Sequence, residues 1–116
     1  MARIQEVKNL PDGFESKIPG RSLREEILRV IMKMETPVML QLQHGRVLCK
    51  LVAYDPVYRT EAYQELEDSD NFYIVPANKA QVVKVYGGNM SAVIQQALRE
   101  WRNRDFGEDG DSEDGF

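Results

Sequence analysis

The stretch P-V-M-L-Q-L-Q-H-G-R-V-L-C-K-L-V-A-Y-D, Pro37 to Asp55, decides how this chain folds. Val38, Leu40 and Leu42 alternate with Met39, Gln41 and Gln43. After His44-Gly45 the alternation resumes, placing Val47, Cys49, Leu51 and Ala53 on one face. A period of two marks half-buried strands, and a two-residue turn containing glycine joins such strands as an antiparallel hairpin. Asp55-Pro56 then forms a corner, proline being suited to turns. A tightly bent hairpin behind an N-terminal helix points to a small barrel, an architecture that more often binds than catalyses.

The helix is read from its start signal. Ser22-Leu23-Arg24-Glu25 is a capping box, in which Ser22 accepts from the Glu25 N–H and Glu25 reaches back to Ser22. Leu23, Ile27, Val30, Ile31 and Met34 form one apolar stripe, with Arg24, Glu25, Arg29 and Lys33 largely elsewhere. Pro37 and the preceding Glu35-Thr36 stop it, so the helix covers about residues 22–34.

Beyond the corner, Arg59 to Leu66 alternates Thr60, Ala62, Gln64 and Leu66 against Glu61, Tyr63 and Glu65, a third strand with one wet face. Glu67 to Asn71 is a polar turn, and Phe72 to Val75 extends the sheet before Pro76-Ala77-Asn78 breaks it. Gln81 to Tyr86 reads as a β-branched strand, Gly87-Gly88 as a tight turn and Asn89 to Ile94 as a short last strand. Ala92 to Arg102 is also compatible with a helix, with the switch near Ile94. The expected organisation is a flexible, mostly extended arm over residues 1–20 with a candidate short strand at Ile4 to Val7, a barrel domain with a candidate C-terminal helix over 21–104, and a disordered acidic tail over 105–116. The tail, F-G-E-D-G-D-S-E-D-G-F from Phe106, holds too few apolar groups to offset its ordering entropy.

At 116 residues the chain suits one domain with a modest core. The net charge of −4 divides unevenly: residues 1–104 hold all 15 Lys and Arg against thirteen acids, and the last twelve residues hold six acids. A weakly basic body with an acidic tail is compatible with nucleic acid without demanding it. No apolar run reaches about 18 residues, so no membrane span is expected. Met-Ala-Arg-Ile-Gln-Glu lacks the apolar core of a secretory signal. Cys49 is the only cysteine, which excludes an internal disulfide and a cysteine-rich zinc site. The expectation is an intracellular, reduced protein with Cys49 as a small buried residue.

A helix, five strands and a Gly-Asn element between the last two strands resemble the Sm and Sm-like (LSm) proteins over roughly residues 22–94. R-V-I-M-K-M-E-T-P-V-M-L-Q-L-Q-H-G-R looks like the family's opening, A-Y-D-P-V-Y-R-T like its Asp-containing loop, and V-Y-G-G-N-M-S-A-V-I like its second motif. The resemblance implies a mainly β fold: an N-terminal helix, then a strongly bent five-stranded antiparallel barrel. It implies ring assembly with other Sm-type subunits, the fourth strand of one adding to the fifth of the next, so that Val82, Val83, Lys84, Val85, Met90, Ala92 and Val93 lie at the seams.

It also implies binding of single-stranded, uridine-rich RNA at the ring's inner rim, in a ribonucleoprotein core such as that of a spliceosomal small nuclear RNA. Nucleus and cytoplasm are the matching compartments. Position by position, Asp55 holds the loop and Val57 takes the usual stacking place. Tyr58 stands where the family has Met, Arg59 where it has the base-reading Asn, and Tyr86 where it has Arg, while Gly87 and Asn89 match. Arg59 cannot accept a hydrogen bond as Asn does, and Cys49 replaces a strand-two glycine. Arg59 and Tyr86 nonetheless keep one cation and one aromatic at the rim, with roles exchanged.

The plainer readings stand beside these. Tyr58 and Arg59 are also ordinary residues for a loop edge, His44 for an exposed turn, and the methionines for core filling. The Asp and Glu residues show no partnered nucleophile, second His or metal-ligand spacing, and no Gly-rich phosphate loop precedes a helix, so neither an enzyme nor a cofactor is expected. The alternative function is an Sm-fold scaffold that binds protein partners without RNA.

Overall fold

A computed structural model describes residues 4–76, 82–85 and 90–106, with 82–85, 90 and 104–106 described as backbone. In chain order the elements are β1 (Gln5–Val7), α1 (Leu23–Lys33), β2 (Pro37–Leu42), β3 (Gly45–Asp55), β4 (Thr60–Glu65), β5 (Phe72–Val75), β6 (Val82–Val85) and α2 (Met90–Phe106). The strands form one antiparallel sheet in the order β1-β5-β4-β3-β2-β6. The chain is therefore mainly β with two helices: β2 to β5 meander, and β6 returns to pair with β2.

The hairpin forms as its alternation predicts. Its register runs from Pro37↔Lys50 to Leu42↔Gly45 and leaves Gln43-His44 as the two-residue link, one residue earlier than the glycine-containing His44-Gly45 turn expected from the sequence. Gly45 enters β3 at φ +143°, a backbone region that a side chain rarely adopts. α1 begins on Ser22, whose hydroxyl accepts from the Glu25 N–H at 3.1 Å. The return bond differs from the expected box, since Glu25 accepts from the N–H of Arg21 at 2.8 Å. At the other end Glu35 turns left-handed at φ +51°, with Thr36 N–H bonding Ile31 O and Glu35 N–H bonding Met32 O. This closes the last carbonyls in a Schellman arrangement before Pro37 opens β2.

One bulge reorganises the core. The register of β3 on β4 shifts between Leu51↔Tyr63 and Ala53↔Ala62, so Val52 is the extra residue. Side-chain parity reverses there, because strand side chains alternate faces. Cys49, Leu51 and then Tyr54 join the main core with Val30 and Ile31 of α1, Leu40, Tyr63, and Val93 and Ala97 of α2. Ala53 points the other way, into a smaller cluster with Ala62, Ile74, Leu10 and Phe14. The expectation that Ala53 shares the face of Cys49 and Leu51 is thus overturned by the bulge. The expected wet face of β4 is overturned as well: Glu61 is 2% exposed and Tyr63 1%. Burial pushes the Cys49 thiol up to about 12, so it stays protonated.

Two further expectations change. Met90 to Ile94 is not a strand, since α2 starts at Met90 and packs along α1, burying Val93, so the helical alternative for Ala92 to Arg102 holds and begins earlier than the switch expected near Ile94. Met90, Ala92 and Val93 are therefore helical, and the ring seam placed on them does not exist as a strand edge. The fourth strand after α1 is Phe72–Val75 and the fifth is Val82–Val85, one position earlier than the sequence reading. The N-terminal arm is also built into the sheet. β1 covers the outer edge of β5 through Gln5↔Ile74, Glu6↔Tyr73 and Val7↔Phe72, and Glu15 exchanges backbone bonds with Tyr54 at 2.9 and 2.8 Å. The two end strands are the three-residue β1 and the four-residue β6, and short edges limit unwanted pairing. Tyr86, Gly87, Asn89 and residues 107–116 of the acidic tail lie outside the described residues.

Candidate functional site

The β3–β4 turn places the sequence-derived site. Asp55, buried at the end of β3, accepts from the N–H groups of Val57 at 2.9 Å and Tyr58 at 3.2 Å. Its carboxylate thus fixes the turn from within, the loop-holding role expected of it. Gly13 of the arm backs the same carboxylate so closely that a Cβ there would stand 2.9 Å from Asp55 Oδ2. Held this way, Val57 and Tyr58 project outward, each 78% exposed. Arg59 closes the turn at φ +56°, a left-handed conformation costing a non-glycine residue about 1–2 kcal/mol.

Beside the turn lies a cavity of about 750 Å³ between β3 and the start of α1, rimmed by Arg21, Arg24, Arg59 and Val57 and floored by Tyr54 and Glu25. Arg21 bridges its mouth, reaching Glu25 Oε2 at 3.4 Å and the Pro56 carbonyl at 3.2 Å. Arg24 pairs with Glu61 on β4 at 2.5 Å, and Tyr63 donates to the other Glu61 oxygen at 2.7 Å. Arg59 makes no hydrogen bond or ion pair among the described residues.

The acids sit behind the cations. Glu25 and Glu61 are almost fully buried, whereas the Arg21 and Arg24 side chains are 61% and 47% exposed. Burial raises the Glu25 carboxyl, but hydrogen bonds from Tyr54 and Arg21 outweigh it and leave Glu25 below its ordinary range. Burial, with Glu25 as acceptor, pushes Tyr54 up to about 12. Burial and the adjacent Glu61 hold Tyr63 well above its ordinary range. Both phenols are therefore neutral donors rather than nucleophiles. What faces solvent is a concave cationic rim carrying an exposed tyrosine, chemistry suited to an anion bearing a planar group.

A second cavity of about 490 Å³ lies between the arm, α1 and α2, lined by Lys17, Arg29, Lys33 and Glu100. Glu26 is buried behind it with Arg29 at 3.0 Å. Burial, and then the Glu100 carboxyl beside it, holds Glu26 above its ordinary range. Hydrogen bonds from Gln96 and Glu26 hold Glu100 below its own. Among the described residues no three Asp, Glu, His or Cys side chains converge as a metal cluster, and no helix is long and apolar enough to cross a membrane.

Of the residues singled out in the sequence, Asp55, Tyr58 and Arg59 are brought together here; Tyr86, Gly87 and Asn89 lie outside the described residues. Val82, Val83, Lys84 and Val85 form β6, one edge of which is taken by β2 of the same chain. Sequence reasoning missed Arg21, Arg24, Glu25 and Glu61 as a group. Strand alternation did put Glu61 on the face of Tyr63, and the capping box did put Arg21 and Arg24 at the helix start. Only packing brings Arg24, at the cavity rim, onto Glu61 of β4. No family model, curated protein or solved structure matches the chain.

Proposed function

We propose that this chain binds single-stranded RNA at the β3–β4 turn. Tyr58 stacks on an unpaired base, and Arg59, Arg21 and Arg24 take the adjoining phosphates. The observation that carries the reading is Tyr58, 78% exposed between two residues that line a cavity with three arginines. A base offers a π-face to any exposed ring, and stacking contributes about 1–3 kcal/mol per base. Asp55 supplies preorganisation: it fixes the turn before ligand arrives, so less ordering entropy is lost on binding. The left-handed Arg59 fits the same picture, since strain of this kind persists where the surroundings over-determine it.

The sequence resemblance extends the proposal to a ring subunit of a ribonucleoprotein core, uridine-rich RNA in its hole and Sm-type neighbours at its seams. In that extension the seam strands become β5 and β6, and β1 must leave the outer edge of β5 before a neighbour can add there. A scaffold that binds protein without RNA is the second reading, favoured by the exposed apolar pair Val57 and Tyr58.

Fluorescence anisotropy with uridine-rich and scrambled single strands tests the proposal. Tyr58→Ala is expected to weaken binding about tenfold or more. Arg59→Gly removes both the side chain and the backbone strain, so it should weaken binding while leaving stability equal or higher. Each phosphate deprived of its arginine should flatten the log–log salt dependence by about 0.7. Wild-type and variant curves that coincide would sink the proposal. A clean 260/280 ratio after a high-salt wash, with a protein captured through Val57 and Tyr58, would favour the scaffold.

A further inference from the structure

The N-terminal arm is pinned beside α1 at two points. Glu15 exchanges backbone bonds with Tyr54, and Ile18 is 6% exposed in the main core with Leu28 and Val30. Ser16 and Lys17 lie between these anchors and are held at the cavity of about 490 Å³. Neither side chain makes a hydrogen bond or ion pair among the described residues. Across from them α1 offers Arg29 and Lys33, which stand four residues apart and so share one side of the helix. Arg29 is set in place by the fully buried Glu26, 3.0 Å away. That contact uses Nη1, and the guanidinium keeps further N–H donors for another acceptor.

The charges around this space do not cancel. Lys33 reaches Glu100 of α2 at 3.5 Å, and Glu26 hydrogen-bonds the same Glu100. Two carboxyl groups bond each other only while they hold a proton between them, so the pair contributes one negative charge and not two. Against it stand Lys17, Arg29 and Lys33, which leaves two positive charges unanswered. Ile18 and Met32 give the same cavity an apolar wall. A hollow of a few hundred cubic ångströms, partly apolar and with a few convergent polar groups, has the size and lining of a small-molecule site. Its polar groups are donors, so the matching ligand is an anion with a small organic body.

We propose that this cavity binds a phosphate monoester, with Lys17, Arg29 and Lys33 on its dianion, the Ser16 hydroxyl bonding a phosphate oxygen, and Ile18 and Met32 against the organic group. A monoester carries close to two negative charges at neutral pH and a diester one, so the charge surplus selects the monoester. Glu100 opposes the ligand, and Lys33 beside it limits that cost. The arm's two anchors hold Ser16 and Lys17 in place before ligand arrives, which lowers the ordering entropy lost on binding. The same chemistry is found on a free nucleotide or sugar phosphate and at a phosphorylated 5′ end of RNA. The site shares no lining residue with the cavity at the β3–β4 turn and is independent of the RNA reading.

Calorimetric titration of the full chain with uridine 5′-monophosphate and with its methyl diester tests the site. The monoester is expected to bind about tenfold tighter than the diester. Lys17→Met deletes an exposed cation with no partner among the described residues, so the melting midpoint should hold while monoester affinity falls about tenfold. Lys33→Met should weaken the monoester to a similar degree. No heat with the monoester, equal affinity for the two esters, or monoester affinity unchanged in both variants overturns the site. Oligouridines with a 5′-phosphate or a 5′-hydroxyl then separate the sources. Tighter binding of the phosphorylated strand, lost in Lys17→Met, identifies an RNA end as the ligand. Equal binding of the two strands beside a tight monoester identifies a free phosphate ester.

Discussion

Replacing Arg24 by Met keeps the aliphatic stem and deletes the guanidinium that neutralises Glu61. Two exposures set the size of the effect in opposite directions. Glu61 is 2% exposed, and stripping a buried carboxylate of its partner costs about 3–5 kcal/mol. Arg24 is 47% exposed, and pairs at that level of solvent contact are screened toward 0–1 kcal/mol. The buried partner dominates, because it is the group left without water or countercharge, and about 2–3 kcal/mol is expected. Arg24 has interactions besides this pair, so the pair is isolated by a double-mutant cycle with Glu61→Gln. The substituted glutamine still accepts from the Tyr63 hydroxyl, which donates to Glu61 at 2.7 Å in the native fold. In urea titrations Arg24→Met alone should fall by that amount at constant m-value, and Arg24→Met/Glu61→Gln should recover most of it. A loss below about 0.5 kcal/mol, or no recovery in the double variant, would refute the claim that α1 is pinned to β4 by a buried charge.

The Glu26 carboxyl, raised by burial and by Glu100, titrates above its ordinary 4.5 in the folded chain. A raised folded pKa contributes stability in acid that is lost as pH climbs from about 4.5 through the folded value. Glu25 and Glu100 are lowered and act with the opposite sign, losing their contribution as pH falls. Glu26→Gln keeps an acceptor for Arg29 and a donor for Glu100, so its advantage over wild type should grow between pH 4.5 and 8 in urea midpoints; a constant difference would contradict the burial argument. Gly13→Ala forces a side chain at φ +101° against Asp55 Oδ2, and should cost about 1–3 kcal/mol while weakening RNA binding through the displaced turn. An unchanged urea midpoint and unchanged anisotropy would show that the arm does not support the turn.

The legible and illegible parts of the fold separate along a physical line. The Ser22 helix cap, the hairpin alternation and the Asp55-Pro56 corner are local: each rests on residues within a few positions of one another, and each appears in the structure close to where the sequence put it, the return bond of the capping box alone moving to Arg21. The failures involve competition between distant segments. Asn89 to Ile94 has strand-like composition, yet Val93 and Ala97 sit four residues apart and pack on α1, so helix wins once that surface exists. The wet face expected for β4 follows from the acidic Glu61, and only the approach of Arg24 from α1 makes its burial tolerable. The bulge at Val52 is invisible to a period-of-two reading, because nothing in the residue itself announces the extra position.

The candidate site divides the same way. Sequence alone determined that a turn would follow Asp55 and carry Tyr58, but it began the next strand at Arg59, which the structure holds in the turn at φ +56°. Tertiary structure decided that Arg21 and Arg24 stand beside them, that β1 covers the edge of β5, and that Arg24 meets the buried Glu61 of β4. The reason is that propensity and periodicity are set by neighbours along the chain, whereas charge pairing and edge pairing are set by which segments the buried core draws together.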